Sequence, residues 1–303
     1  MPNFYILNVS HGNCSILVDG KRVTVIDAGP RSDLLDFLEK NKISRIDLVL
    51  ISHADKDHLG GLIALINSDY DIKEIFLNGD STKDTNVWND LIYSLYEKDK
   101  NKKVLLSVSV TSDIEKNLNK GTVKFEVLAP NKYLVVKGVG GYDLDGRKIA
   151  SNSLSAVIRL WYKDQKLILI PGDLDDIGLD SLLTDHDEIN AKVMIFPHHG
   201  GNPGSSDVEE FVKSLCNTSK PNYIIFSIRK NDYRFPRRDI LRNTLKYLPG
   251  VIMYTTSHSK SFEVFNKGNN ITRNKNGTGT IKFNFDSHPL KIEFIDFPLK
   301  PTF

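Results

Sequence analysis

The sequence predicts a mixed α/β protein in which two β-sheets pack face to face with helices on the outside. Three observations point there. Short β-branched runs open each half of the chain, helical patterns then alternate with apolar strand-like runs, and the polar clusters that could carry chemistry follow those runs directly.

In chain order, residues 4–27 read as a small meander, FYILNV, CSILVD and RVTVID separated by HGN and GK turns. DLLDFLEKN has helical spacing with an Asp at its start, and IDLVLIS is an apolar run suited to a buried strand. LGGLIALINS reads as a helix, KEIFLN as a strand, residues 86–98 as a helix, and KKVLLSVSV and TVKFEVLAP as strands. The Gly- and charge-rich stretch 131–151 is expected to be a long loop. SLSAVIRLWY and KLILIPGD then read as paired strands. A helix near 175–185, the strand KVMIFP, a helix near 207–215, the strand NYIIFSI, a helix near 239–247 and the strand VIMYTT follow. The domain expectation is 1–265 as one unit, with 266–303 as a β-rich appendage packed on it.

Composition narrows the class. The 303 residues are 40% hydrophobic, with 40 basic against 38 acidic side chains and 2 Cys, which argues against a disordered, collagen-like or disulfide-stapled protein. No run approaches the roughly 18 apolar residues that span a bilayer, and no secretory signal pattern opens the chain. A cytoplasmic chain without membrane contact is the expectation. The net charge of +2 gives no chain-wide attraction to nucleic acid. Local charge differs: Arg229, Lys230, Arg234, Arg237, Arg238 and Arg242 face only Asp232 and Asp239 within 229–242, with Tyr233 and Phe235 available for stacking.

Four of the 8 His fall in two tight clusters. SHADKDHLGG places His53, Asp55, Asp57 and His58 in a loop between a buried strand and a helix. Imidazoles interleaved with carboxylates suit divalent Zn, Mn or Fe, and Gly60-Gly61 allows close backbone approach. The competing reading is an acidic helix N-cap, which explains the two Asp and leaves the two His unexplained. His198 and His199 face a Gly-Gly turn after a strand; Asp173 follows another through Pro-Gly, and Asp27 ends a third. Each of these is weak alone.

Taken in order, these pieces resemble the metallo-β-lactamase fold superfamily: His53-Ala-Asp55-Lys-Asp57-His58 is similar to its HxHxDH signature. HGNCSILVDG with VTVIDAG, SNSLSAVIRL, LILIPGD, VMIFPHHGG and NDYRFP narrow the resemblance to the hydrolase domain of ComEC-type competence proteins and its free-standing relatives, over residues 4–265. The resemblance implies a four-layer αββα sandwich with two divalent metal ions, Zn or Mn, at the sheet edges. His53 and Asp55 would hold one ion, Asp57, His58 and His198 the other, and Asp173 would bridge them, while Asp27 would fix the tautomer of a ligand His. Asp55 stands where the signature has its second His, which hardens the first site toward Mn. Asn152 and Ser153 stand where relatives carry a third-motif His, and Tyr233-Arg234-Phe235-Pro236 where they commonly read Tyr-Gly-His-Pro.

The implied activity is hydrolysis by metal-activated water, with its pKa lowered toward ~7 and no Ser or Cys nucleophile. Asp57 would orient that water, and His199 would contact substrate or protonate the leaving group, with His11, Asn152 and Arg234 nearby. The basic segment favours a phosphodiester of nucleic acid or a nucleotide. A small ester, thioester or lactam substrate, and a partner-binding module with a vestigial site, are the alternatives. Relatives also imply work beside a protein partner, in some cases in anti-phage defence, and self-association is left open.

Overall fold

A computed structural model of the chain describes residues 1–9, 11–101, 103–111, 114, 118–230 and 234–295. The first sheet is built from β1 (Asn3–Ile6), β2 (Ser15–Asp19), β3 (Arg22–Ile26), β4 (Arg45–Ile51), β5 (Asp71–Leu77), β6 (Leu105–Ser107), β13 (Thr280–Asn284) and β14 (Lys291–Ile295). Its order is β14-β13-β1-β2-β3-β4-β5-β6. The second sheet takes β7 (Lys124–Ala129), β8 (Val157–Tyr162), β9 (Gln165–Ile170), β10 (Val193–Ile195), β11 (Tyr223–Phe226) and β12 (Ile252–Thr255), in the order β12-β11-β10-β9-β8-β7.

Strand periodicity distributes the apolar side chains between layers. On β4, Leu48 and Leu50 enter the core between the sheets, while Val49 and Ile51 face the helices outside. The inner core joins Phe4, Ile6 and Leu50 of the first sheet to Ile158, Ile168 and Ile225 of the second. Helices 33–40, 62–66 and 86–100 cover the outer face of the first sheet, and 176–185, 208–219, 238–247 and 260–268 that of the second. Four layers, αββα, result.

Three stretches differ from the sequence reading. The expected loop 131–151 begins with a helix, Lys132–Lys137, because the Asn131 side chain accepts from Leu134 N and Leu134 is buried. Helix Lys260–Gly268 occupies a stretch where the sequence suggested no element; Ser259 caps it through Phe262 N. The strand expected over 102–110 shortens to Leu105–Ser107, and Lys102 lies outside the described residues.

The C-terminal strands continue the first sheet. Strand β13 pairs antiparallel with β1, setting Phe4 opposite Phe283, and Ile281 and Phe283 are fully buried in the inner core. The end of the expected KIEFIDF run, residues 296 and 297, lies outside the described residues. Replacing the buried ring by Phe283→Ala is expected to cost about 3–5 kcal/mol in denaturant unfolding. A loss below about 1 kcal/mol would instead describe a strand that adds nothing to the core.

Candidate metal centre

The chemistry-bearing residues meet at one end of the sandwich because parallel strands deliver them there. Asp27 follows β3, Ser52 to His58 follow β4, Asp173 follows β9, His198 and His199 follow β10, and Ser227 follows β11. The carboxyl end of parallel strands is the common place for a site in open α/β sheets. Cross-links hold the loops in place: Ala28 N donates to His58 O at 2.6 Å, and Ser227 Oγ on the second sheet donates to Gly12 O at 2.7 Å. Gly61 is required there, since a Cβ on it would sit 2.5 Å from Gly29 O.

Among the described residues, Asp57, His58, Asp173 and His199 bring one ligand atom each to within 4.8 Å of one another. Each His has one nitrogen committed outward. His58 Nδ1–H donates to Asp27 Oδ2 at 2.8 Å, and His199 Nδ1–H donates to the Ser227 carbonyl at 2.8 Å. Both Nε2 atoms therefore face the group. His58 Nε2 lies 2.9 Å from Asp173 Oδ1, off the line of a hydrogen bond, and both atoms are buried without a hydrogen-bond partner. A ring nitrogen and a carboxylate oxygen, both buried without hydrogen-bond partners in the same place and beside two further donors, make the environment a divalent cation fits.

Asp27 is fully buried; besides His58 it accepts from Ser52 N at 2.7 Å and Ser52 Oγ at 3.0 Å. Burial alone would neutralise His58, but the Asp173 and Asp27 carboxylates on its two sides raise its pKa well above the ordinary imidazole range. Burial likewise works against the Asp173 carboxylate, and His58 and His199 outweigh it, holding its pKa well below the usual range. His199 is raised against its burial by Asp173 and Asp57, and Asp57 is lowered against its burial by His199 and His58. Without a cation the cluster is balanced by protons on imidazole, and a bound cation would displace them.

His199 and His198 take places different from those expected. His199, only 1% exposed, joins the group with Nε2 3.1 Å from Asp57 Oδ2. His198 stands at the rim, its Nδ1 3.9 Å from Asp173 Oδ2 and 3.2 Å from Asn152 Nδ2. Both residues adopt left-handed backbone, φ 51° and 56°, so the chain turns sharply and the two rings separate to 6.5 Å between centroids.

His53 and Asp55 lie beside the group. The Ser52 hydroxyl proton goes to Asp27, so His53 Nδ1–H donates to Ser52 Oγ at 3.0 Å. His53 Nε2 is buried, unpartnered and 3.5 Å from Asp55 Oδ2. Asp55 occupies the N-cap position of the 56–59 turn, yet its side chain makes no capping hydrogen bond, so capping does not explain it. Its other oxygen is held by the Lys83 ammonium, a residue the sequence reading did not single out. Burial is opposed here by His53 and Lys83, and the Asp55 carboxyl falls below its ordinary range. No spacing rule pointed to Lys83, which arrives from the loop after β5.

His11 reaches the site from the loop after β1, its Nε2 3.6 Å from Asp57 Oδ2 and its ring stacked on Phe235 with centroids 5.6 Å apart. Burial and the neighbouring His199 lower its pKa. Arg234, next to Phe235, is exposed. Tyr233 and Asp232 of the basic segment lie outside the described residues.

The fold and the site define an αββα sandwich with a candidate metal-binding group at its strand ends. Residues 7–69 match the family model of the Metallo-beta-lactamase superfamily. Among solved structures it is similar to the metallo-beta-lactamase fold protein YhfI from Bacillus subtilis, at 11% identity over 84% of this chain and 96% of that one, with a TM-score of 0.48. It is also similar to a diphosphatase of the PhnP family, at 11% identity over 75% of this chain and 87% of that one, with a TM-score of 0.43. No curated protein matches the chain.

Because Asp27 holds the His58 proton on Nδ1, Asp27→Asn should weaken divalent-ion binding by about 10- to 100-fold, measured by calorimetric titration. Unchanged affinity would mean that Asp27 does not set the His58 tautomer.

Proposed function

We propose that the chain is a metal-dependent hydrolase that cleaves a phosphodiester in a nucleic acid or nucleotide. The observation that carries the hydrolase reading is the convergence of Asp57, His58, Asp173 and His199, with His58 Nε2 and Asp173 Oδ1 buried and unpartnered. Two imidazoles and two carboxylates suit Zn or Mn. These four residues would hold a divalent ion, which when bound would supply Lewis acidity and lower the pKa of water toward ~7.

The chain's own residues do the rest. Asp27 and the Ser227 carbonyl hold the outer ring protons, so both ligand nitrogens keep their lone pairs inward. Asp57, with one oxygen near both His199 and His11, is placed to hold the proton of an attacking water. His11 and Phe235 form an aromatic wall at the mouth, against which a base could stack.

The rim supports a phosphate-bearing substrate. Arg234 flanks the aromatic wall, and Arg229 acts electrostatically on His11. Arg237 is committed to Asp239, which removes one cation of the segment from that role. The motif resemblance to ComEC-type domains points the same way.

The test is a substrate panel of single-stranded DNA, RNA, cyclic dinucleotides, bis-(p-nitrophenyl) phosphate and nitrocefin, each with Mn²⁺ or Zn²⁺. Phosphodiester turnover is expected, abolished by chelation and reduced at least about a hundredfold by His58→Ala. Nitrocefin turnover with every phosphodiester left intact would replace this reading with that of a lactam or ester hydrolase.

A further inference from the structure

The place beside the metal group is shaped for a cation. His53 Nε2 is buried without a hydrogen-bond partner and lies 3.5 Å from Asp55 Oδ2, a ring nitrogen and a carboxylate set side by side where a cation could be shared between them. The His53 ring lies against that of His58, with centroids 4.2 Å apart, so this charge would sit next to the four-residue group. A second metal ion would need further donors. Asn152 is turned to His198, and Ser153 Oγ donates to Asp175, leaving, among the described residues, His53 and Asp55 unshared with the group.

Lys83 is already in contact with Asp55 Oδ1. Its side chain is 20% exposed, enclosed enough to be directed and open enough to enter from the loop after β5. Thr82 N and Thr82 Oγ1 both donate to Asp80 Oδ1, which fixes the backbone immediately before it.

We infer that the Lys83 ammonium takes the place of a second metal ion at the His53–Asp55 position, so that the centre works with one divalent ion and one built-in cation. The inference rests on the metal-centre reading above and adds a stoichiometry to it. A fixed ammonium contributes charge without completing a coordination sphere, which suits a position with one imidazole, one carboxylate and no further donor among the described residues. In a phosphodiester complex, the same ammonium would face a non-bridging oxygen of the substrate.

The experiment is metal analysis of the purified full chain loaded with Mn²⁺ and desalted, paired with electron paramagnetic resonance of the bound Mn²⁺. The wild type should hold one ion per chain and show the spectrum of isolated ions. Lys83→Ala should admit a second ion at high Mn²⁺ and develop the spectrum of a coupled pair, whereas Lys83→Arg should stay at one. Circular dichroism confirms folding, and Lys83→Met serves if the alanine variant does not fold. A coupled pair in the wild type would overturn the inference, as would a charge-removing variant that stays at one ion. No ion in the wild type would overturn the metal-centre reading instead.

Discussion

The structure depends on one buried chain of polar contacts that joins the two sheets at their carboxyl ends: Asp27 to His58 to Asp173. All three side chains are 0–3% exposed, and ionised groups so far from water persist only when each faces an opposite charge or a hydrogen-bond partner. Asp27 belongs to the first sheet, Asp173 to the second, and His58 spans the gap between them. Removing one member would leave the others as uncompensated buried charge, so the sandwich and its site are energetically linked. The cross-sheet bond from Ser227 Oγ to Gly12 O reinforces the same end.

This constraint explains why the polar residues cluster at one end of the sandwich. Along the inner faces the sheets meet through Phe4, Leu50, Ile158, Ile168 and Ile225, with no place for charge. At the strand ends the backbone leaves the sheets, loops replace apolar side chains, and backbone donors and acceptors become available to orient imidazoles. The left-handed residues Asp27, His198 and His199 all occur there, where the chain must turn sharply to aim a side chain inward.

The fold was largely legible because burial on one or both faces leaves a clear periodic record, as in the alternate allocation of β4 side chains. The loop 52–61 stood out because two His are interleaved with two Asp, but nothing local told that Asp57 and His58 join the group while His53 and Asp55 lie beside it. What the sequence left hidden depends on long-range geometry. The exchange of places between His198 and His199 follows from two consecutive left-handed residues, which adjacent His in a sequence do not announce. Lys83 meets Asp55 only because β4 and β5 lie side by side, and an isolated Lys in a polar loop carries no signal. The helix at 132–137 was masked by the glycines that follow it, and the pairing of β13 with β1 joins the two ends of the chain, beyond the reach of any local pattern.

The central claim is that Asp57, His58, Asp173 and His199 enclose a divalent ion. A crystal structure of the Mn²⁺-loaded chain, with anomalous scattering recorded at the manganese edge, tests it most directly. The account predicts an anomalous peak bounded by these four side chains at about 2.0–2.3 Å from their ligand atoms. No peak among these residues in manganese-saturated crystals, or a peak held by other side chains, would contradict it.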